Sequence, residues 1–457
     1  MLTRRAFHLG LTSAAFAGFA LQGCREELSA ATLGAKGYGK LIGDEGGLLD
    51  LPKGFSYRII SQLGDGMADG YSVPDKADGM GAFDMGGGMV ALVRNHEIRV
   101  SDLEKQPWMG GGKGPASAYD RTLAGVALPG GTTTMMFNMK SGRVESQYRS
   151  LAGTIRNCAG GSTPWNSWLT CEEDVTRGGA TVGQDHGWIF EVPAGHKGLV
   201  TPVALKDMGR FNHEAAAVDP RTGIVYLTED EKDGLFYRFL PNTKSELAKG
   251  GRLQALVLKG APNGSDTRNW NSVTLERGKP KQALWIDADG VDNLGNDMRL
   301  RLASKGAALF ARGEGIHFGQ DELYFTCTSG GVAQAGQVMR YRPSKFEGQA
   351  DEKDAPGTVE VFFESAGKHQ SDYADNLTIA PNGHLIICED QGGDGPVDNH
   401  LRGIAPTGAI YPIARLRTQT ELAGVCFSPD GSTLFVNVYQ PAKTLAITGP
   451  WGRVRVG

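Results

Sequence analysis

One pattern recurs along this chain: a turn, an apolar strand that ends in polar residues, a loop, and a second strand. Pro-Asn-Gly at 381–383 and Pro-Asp-Gly at 429–431 introduce two of these strands, and such turns are typical of β-hairpins. Recurrence of the whole unit predicts a β-propeller. The units lie at 86–94, 167–171, 218–239, 319–341, 380–404 and 428–448, the first two fitting more loosely.

Composition supports short strands rather than long helices. The chain has 66 glycines, and 40% of its residues are hydrophobic, so it can bury a core and still make many tight turns. The largest insertion, 260–305, is polar and turn-rich, and we expect a short helix after it at Ala307–Phe310. A β-sandwich would show similar strands, but polar clusters at one end of each unit favour a propeller mouth. We predict an all-β, six-bladed propeller with loop and short-helix insertions, formed by residues 51–457.

The N-terminus predicts export. Arg4 and Arg5 precede an apolar stretch, 8–21, that is too short for a comfortable membrane span, which is typical of a twin-arginine signal over 1–24. Cys24 ends a sequence resembling a lipobox, so it is a candidate lipid-anchored residue, whereas cleavage after Ala20 is the alternative. We expect a tether at 25–50, passage through the twin-arginine machinery, and a periplasmic or secreted protein with an outer-membrane lipid anchor.

Net charge, cysteine spacing and missing motifs argue against several other classes of protein. The formal net charge is −4, so no basic surface for nucleic acid is indicated. The chain has no Cys-x-x-Cys spacing of the kind found in structural zinc sites. Cys327, Cys388 and Cys426 lie in apolar runs and are expected to be buried strand residues. A Gly-x-Ser-x-Gly elbow and nucleotide-binding loops are also missing from the sequence.

Acidic residues and a thiol recur at the polar ends of the strands. Asn-His-Glu occurs twice, at 95–97 and 212–214, and Cys158 and the run Cys171-Glu-Glu-Asp174 lie between the copies. Calcium takes several oxygen ligands, whereas a thiolate favours a softer transition metal. This combination predicts a centre that holds more than one kind of metal. His96 and His213 could ligate directly or orient the neighbouring glutamates.

An ordered series of motifs resembles the PhoX family of secreted alkaline phosphatases over 78–451. The residues that carry the resemblance are Asp78-Gly-Met, Arg94-Asn-His-Glu97, Asn157-Cys-Ala-Gly-Gly, Thr163-Pro-Trp, Trp168-Leu-Thr-Cys-Glu-Glu173, Arg210-Phe-Asn-His-Glu214, Thr228-Glu-Asp230, Phe310-Ala-Arg312-Gly-Glu314-Gly, Asp375-Asn-Leu, Glu389-Asp390 and Ile447-Thr-Gly-Pro-Trp451. One departure is Asn166-Ser167, where the family pattern has Gly-Thr.

The resemblance implies a metal-dependent phosphatase. It implies a propeller mouth with two irons and three calcium ions that hydrolyses small phosphate esters, in a protein that we expect to be a monomer. Arg312 would bind the phosphoryl group. The implied metal ligands are Glu97, Cys158, Glu173, Glu214, Glu314, Asp375 and Glu389. Second-rank candidates are Asp78, Glu172, Glu229, Asp230 and Asp390, because adjacent strand residues face opposite sides of a sheet.

Two other functions fit the same residues less closely. A calcium-dependent propeller lactonase or esterase would need calcium without iron and no thiolate ligand. A non-catalytic exported propeller would use calcium for stability and bind a partner. The resemblance favours the phosphatase over both.

Overall fold

The computed structural model describes residues 37–104, 112–261, 263–391 and 396–452. The signal sequence at 1–24 and Cys24 lie outside the described residues. Strands dominate, and one short α-helix and four 3-10 helices accompany them in this part of the chain. None of the described helices has the length and apolar character needed to cross a membrane.

The strands of the first half are β1 (Leu41–Ile42), β2 (Leu49–Pro52), β3 (Ser56–Gln62), β4 (Ala77–Asp84), β5 (Met89–His96), β6 (Gly130–Asn138), β7 (Arg143–Thr154), β8 (Asn157–Ser162), β9 (Ser167–Glu172), β10 (Ile189–Pro193), β11 (His213–Val218), β12 (Val225–Glu229), β13 (Phe236–Pro241) and β14 (Gly251–Leu258). The 3-10 helices are Val100–Glu104, Lys206–Met208, Leu247–Lys249 and Ala350–Asp354.

The strands of the second half are β15 (Ser265–Asp266), β16 (Lys281–Asp287), β17 (Ala308–Leu309), β18 (Gly313–Phe318), β19 (Leu323–Cys327), β20 (Gln337–Arg342), β21 (Thr358–Glu364), β22 (Ala374–Ile379), β23 (Leu385–Glu389), β24 (His400–Ile404), β25 (Ile410–Leu416), β26 (Leu422–Phe427), β27 (Thr433–Val438) and β28 (Lys443–Thr448). The α-helix, α1, is Met298–Ala303.

These strands form six antiparallel units, numbered here in chain order, and the all-β propeller prediction is confirmed. The units are β4–β7, β8–β10, β11–β14, β18–β21, β22–β25 and β26–β28, the last completed by β3 from the N-terminus. The innermost strands β4, β8, β11, β18, β22 and β26 each contact the next, and the sixth contacts the first. The ring is therefore closed, and pairing of β3 with β28 joins its two ends.

The insertion differs from its prediction. Ala308–Leu309 forms strand β17, paired in parallel with β15, and the short helix lies earlier, at α1. Strand β16 of the insertion pairs with both β14 and β21, so units 3 and 4 belong to one nine-stranded sheet. The expected tether also contributes structure, because β2 pairs with β25 and extends unit 5.

The core lies between neighbouring sheets. Between units 3 and 4, Phe236 stacks on Phe325 with ring centroids 4.3 Å apart, and Tyr226 and Tyr341 pack around them. Pairs of this kind contribute about 0.5–1.5 kcal/mol beyond the area that they bury. Cys327 and Cys388 are buried and unpaired, as predicted, and Cys426 is partly buried and unpaired.

Candidate metal centre

Each innermost strand carries a β-bulge at the same place. One extra residue stands opposite the second strand of the unit, just after the innermost strand begins. A bulge bends the strand and re-aims a side chain, and bulges are frequent beside active sites. The bulged pairs are Asp78-Gly79, Cys158-Ala159, Glu214-Ala215, Glu314-Gly315, Asp375-Asn376 and Gly424-Val425.

Close approach of the innermost strands explains the small second residue of most bulges. A Cβ added to Gly79 would lie 2.6 Å from Cα of Ala159, and one added to Gly315 would lie 2.7 Å from Cα of Asn376. Backbone atoms cannot move aside easily, so larger side chains would separate the strands. The bulges thus bring the preceding acidic and thiol side chains together.

Those side chains form three overlapping groups in which candidate ligand atoms lie within 4.8 Å of one another. The first group is Asp78, Glu97 and Cys158, and the second is Cys158, Glu173 and Glu214. The third is Glu214, Glu314 and Asp375. Cys158 and Glu214 are each shared by two groups, so the three groups make one continuous centre.

A second ring of residues follows the second strand of each unit. Their backbone N–H groups donate to the carbonyl of the residue immediately before the innermost strand, as Glu173 does to Arg156 at 2.9 Å. The residues that donate are Glu97, Glu173, Asp230, Thr328, Asp390 and Tyr439, and their acceptors are Lys76, Arg156, Asn212, Arg312, Tyr373 and Glu421.

Four of the acceptors adopt the left-handed conformation: Lys76, Arg156, Arg312 and Tyr373 have φ of 51–54°. This conformation is uncommon for residues other than glycine and tends to occur at functional sites. The repeat places two arginines at equivalent positions of the mouth, in units 2 and 4.

Both arginines bind carboxylates. Arg156 Nε donates to Glu97 Oε1 at 2.8 Å, Nη2 lies 2.8 Å from Glu173 Oε2, and Nη1 donates to the carbonyl of Glu173 at 2.9 Å. Arg312 Nε and Nη2 donate to the two oxygens of Asp230 at 2.8 and 3.0 Å. Nη2 of Arg312 also donates to Glu314 at 2.9 Å.

In each pair of adjacent acids, one side chain points toward the centre and the other points into the sheet, because side chains alternate between the two faces of a strand. Glu172 accepts hydrogen bonds from His186 and from the backbone of Gly187. Glu229 accepts from Tyr237 and from the backbone of Leu235. Both side chains are therefore structural.

Glu389, a metal ligand predicted from the sequence, is also turned away from the three groups. It accepts from Arg402 Nε at 2.8 Å and from two backbone N–H groups, and it lies outside the three groups. Its neighbour Asp390 instead acts electrostatically on Glu314 and Asp375. Asp390 therefore replaces Glu389 as our candidate.

The histidines of the two Asn-His-Glu motifs do not reach the centre. His96 is bonded through Nδ1 to the carbonyl of Asp75 and through Nε2 to Thr133. His213 is bonded through Nε2 to the carbonyl of Gly209 and lies 3.6 Å from the ring of Phe211, measured between centroids. Neither belongs to a group of candidate ligands among the described residues.

Tyr439 and Glu421, both in or beside unit 6, were missed by sequence reasoning. Tyr439 donates to Glu97 Oε2 at 2.6 Å. Burial and the nearby Asp390 raise the pKa of Glu421 well above its ordinary value. The bulge of this unit carries Gly424, which has no side chain to offer, so Glu421 is our candidate carboxylate from unit 6. Its only sequence signal is its place before an apolar strand.

The centre concentrates buried acidic groups, whose negative charges would be stabilised by bound cations. Burial, and next the charge of Glu97, raise the pKa of Asp78 to about 8. Burial and the surrounding acids raise the pKa values of Glu173, Glu214 and Cys158 well above their ordinary values. Both carboxylate oxygens of the fully buried Glu214 lack a hydrogen-bond partner among the described residues. Buried charges of one sign are normally neutralised by protons or metal ions, so the residues fit a metal cluster.

Comparisons with known proteins identify the family of the chain and solved structures with a similar fold. The sequence model of the family described as Alkaline phosphatase PhoX matches residues 36–144 and 128–442. The structure of Pseudomonas fluorescens PhoX in complex with vanadate, a transition state analogue, is 19% identical, with a TM-score of 0.64 over 89% of this chain and 97% of that chain. A calcium-binding protein, regucalcin, from Agrobacterium tumefaciens is 13% identical, with a TM-score of 0.40 over 87% of this chain and 98% of that chain. No curated protein matches the chain.

Proposed function

Since this chain belongs to the PhoX family of alkaline phosphatases and is a phosphoric ester hydrolase, we propose that it hydrolyses small phosphate esters at a metal cluster in the propeller mouth. The three overlapping groups would hold the cluster. Glu214 is the single observation that carries the proposal, because its two buried oxygens face the other ligands without a hydrogen-bond donor.

The donor atoms favour two kinds of cation. Cys158 belongs to the first two groups, and a thiol there favours a transition metal such as iron. The third group, Glu214, Glu314 and Asp375, contains only carboxylates and favours calcium. We therefore propose iron on the Cys158 side and calcium on the Glu314 side, two irons and three calcium ions in all, as the resemblance implies.

Bound cations would neutralise the non-bridging phosphoryl oxygens and supply a nucleophile. Arg312 has the complementary task of binding the phosphoryl group. Its Nε and Nη2 are held by Asp230 and Glu314, whereas Nη1 makes no hydrogen bond to a described residue. A planar guanidinium fixed on one edge can present its other edge to a phosphoryl oxygen without losing further side-chain entropy. In the Pseudomonas fluorescens structure, vanadate is the bound transition state analogue.

We also propose that the protein works in the periplasm after twin-arginine export, anchored through Cys24. The support is the sequence Thr3-Arg-Arg-Ala-Phe7 and the residues that precede Cys24. Replacing Arg4 and Arg5 by Lys should keep the protein in the cytoplasm. Cys24→Ala should release it from membrane fractions. Fractionation and immunoblotting of both variants test these two steps separately.

The central experiment is hydrolysis of a chromogenic phosphomonoester by protein exported from a twin-arginine-competent host. We expect activity that a calcium chelator abolishes and added calcium restores. Elemental analysis of the same sample should find both iron and calcium. Calcium without iron, together with hydrolysis of lactones and not of phosphate esters, would instead identify a propeller lactonase. Metal-dependent stability without any turnover would indicate a binding protein.

A further inference from the structure

Each bulge leaves a buried backbone carbonyl without its usual partner in the sheet, because the extra residue interrupts the ladder of hydrogen bonds. Such a carbonyl must be bonded elsewhere, since a buried polar group without a partner is costly. In this protein the partner is repeatedly a side chain from the preceding unit, located near the end of its second strand.

The bonds occur at four of the five bulges that carry a candidate ligand. Asn95 of unit 1 donates through Nδ2 to the carbonyls of Cys158 and Ala159 at 2.9 and 2.6 Å. Thr326 of unit 4 donates to the carbonyl of Asp375 at 2.7 Å. The remaining two bonds run from Thr228 to the carbonyl of Glu314 and from Asn437 to the carbonyl of Asp78.

The two asparagines are themselves held in one orientation. Trp168 Nε1 donates to Asn95 Oδ1 at 2.9 Å, so the amide nitrogen of Asn95 must point to the bulge. Thr444 donates to Asn437 Oδ1 at 2.6 Å, and Arg94 Nη1 donates in turn to Thr444 at 2.6 Å. All four donors, Asn95, Thr228, Thr326 and Asn437, are at most 1% exposed. Bonds so well shielded from water are expected to be persistent.

We infer that Asn95, Thr228, Thr326 and Asn437 are positioning residues of the metal centre, each fixing the backbone of a ligand residue in the next unit. This inference rests on the proposed metal cluster. It extends the cluster beyond its direct ligands to residues that touch neither metal nor substrate. Outer partners of this kind typically change metal affinity by about 10–100-fold when they are replaced.

The inference predicts that different positioning residues control different cations. Thr326 acts on Asp375, in the carboxylate group, so Thr326→Val should raise the free calcium needed for half-saturation by about 10–100-fold. Thr326→Ser keeps the hydroxyl and should restore the calcium affinity of the unaltered protein. Asn95 acts on Cys158, so Asn95→Asp, which places an acceptor against two carbonyls, should lower iron retention and leave the calcium curve unchanged.

Thr134→Val is the matched control. Thr134 is also a buried strand threonine, and its hydroxyl has no hydrogen-bond partner among the described residues, so its loss should alter neither metal. Metal contents would be measured by elemental analysis after dialysis against chelator-buffered calcium. Thermal unfolding would be followed with calcium and with chelator. A purely structural threonine would lower Tm equally in both conditions, whereas a positioning residue should reduce the increase in Tm that calcium produces.

The outcomes separate this inference from the proposed function. A Thr326→Val protein with an unchanged calcium curve, or with the same fall in Tm in both conditions, would overturn the positioning role while the metal centre stands. If the unaltered full-length protein binds neither iron nor calcium, the proposed centre fails and this inference fails with it. Should Asn95→Asp not fold, Thr326→Val and Thr326→Ser decide the question alone.

Discussion

The two arginines of the mouth occupy equivalent positions, yet they differ in what remains of their hydrogen-bonding capacity. Arg156 uses Nε, Nη1 and Nη2 on Glu97 and Glu173. Arg312 uses Nε and Nη2, and its side chain is somewhat more exposed, 32% against 24%. The same backbone conformation therefore supports two tasks. Arg156 bonds two carboxylates, and we propose that the remaining edge of Arg312 binds an oxyanion.

The candidate ligands beside the two arginines also differ, in the chemical type of their donor atoms. The Arg156 side contains the thiol of Cys158, whereas the Arg312 side contains only carboxylates. Glu214 connects the two sides, because it belongs to the second and third groups. We propose that the mouth is divided into a transition-metal side and a calcium side, and each prediction below tests a part of that division.

The largest effect is expected at the residue that both sides share. Glu214→Gln removes a charge from two groups at once, so it should abolish phosphomonoester hydrolysis and lower both iron and calcium content. Activity assays and elemental analysis would measure this. Glu229→Gln is the control, because Glu229 is equally buried but bonded to Tyr237 and not part of any group. Full metal content in Glu214→Gln would contradict a shared ligand.

Arg312→Ala should have the next largest effect, and on turnover only. Removing one group that stabilises a transition-state oxyanion typically lowers kcat by about 10²–10³-fold. Metal content should stay near that of the unaltered protein. Arg156→Ala should do the opposite and lower metal content first, because Glu97 and Glu173 lose their common partner. If both variants lose turnover and metal equally, the division of tasks between the arginines is wrong.

Cys158→Ser tests the division between metals. A serine hydroxyl is a poor substitute for a thiolate toward iron, so the variant should lose most of its iron. Calcium bound by Glu214, Glu314 and Asp375 should remain. Elemental analysis gives both numbers from one sample, and Cys426→Ser serves as a control because Cys426 belongs to none of the three groups found in the described part of the chain. Retention of full iron would exclude Cys158 as a ligand.

The sequence predicted several of the residues that the structure brings together, but not how they are arranged. Motifs identified Cys158, Glu214, Glu314 and Asp375, because each stands in a recognisable run of residues. The repeated bulge was not visible, since it depends on how two strands pair. The sequence therefore ranked Asp78 below residues that lie in the same groups, and it preferred Glu389, which lies outside them, to Asp390.

Other residues depend on the ring itself. Arg156 can be recognised as part of the centre only because the ring places it at the position equivalent to Arg312. Tyr439 can be recognised only from its contact with Glu97, which is 342 residues away in sequence. The alternation of polar and apolar residues predicted the strands of the propeller. It could not predict that β16 joins two units or that β2 extends unit 5, because such outer pairings depend on tertiary contacts.

The smallest effect is expected at His186, which bonds to Glu172, the residue before the candidate ligand Glu173. His186 is fully buried and bonded to Glu172 at 2.7 Å and to Asp120 at 3.1 Å. Burial alone would lower its pKa, but the two acids outweigh burial and raise the pKa to about 9. Because the folded pKa lies above the ordinary value of 6.5, this interaction stabilises the fold fully below about pH 6.5.

That stability should decline as the pH rises from about 6.5 through about 9, by on the order of 3 kcal/mol. Urea unfolding between pH 6 and 10, in chelator, would measure it, and His186→Gln should remove this part of the pH dependence. The exposed His196→Gln is the control. Glu172 precedes the candidate ligand Glu173, so iron should be lost at alkaline pH before calcium in the unaltered protein. Simultaneous loss of both metals would show that the two sides of the mouth are not independent.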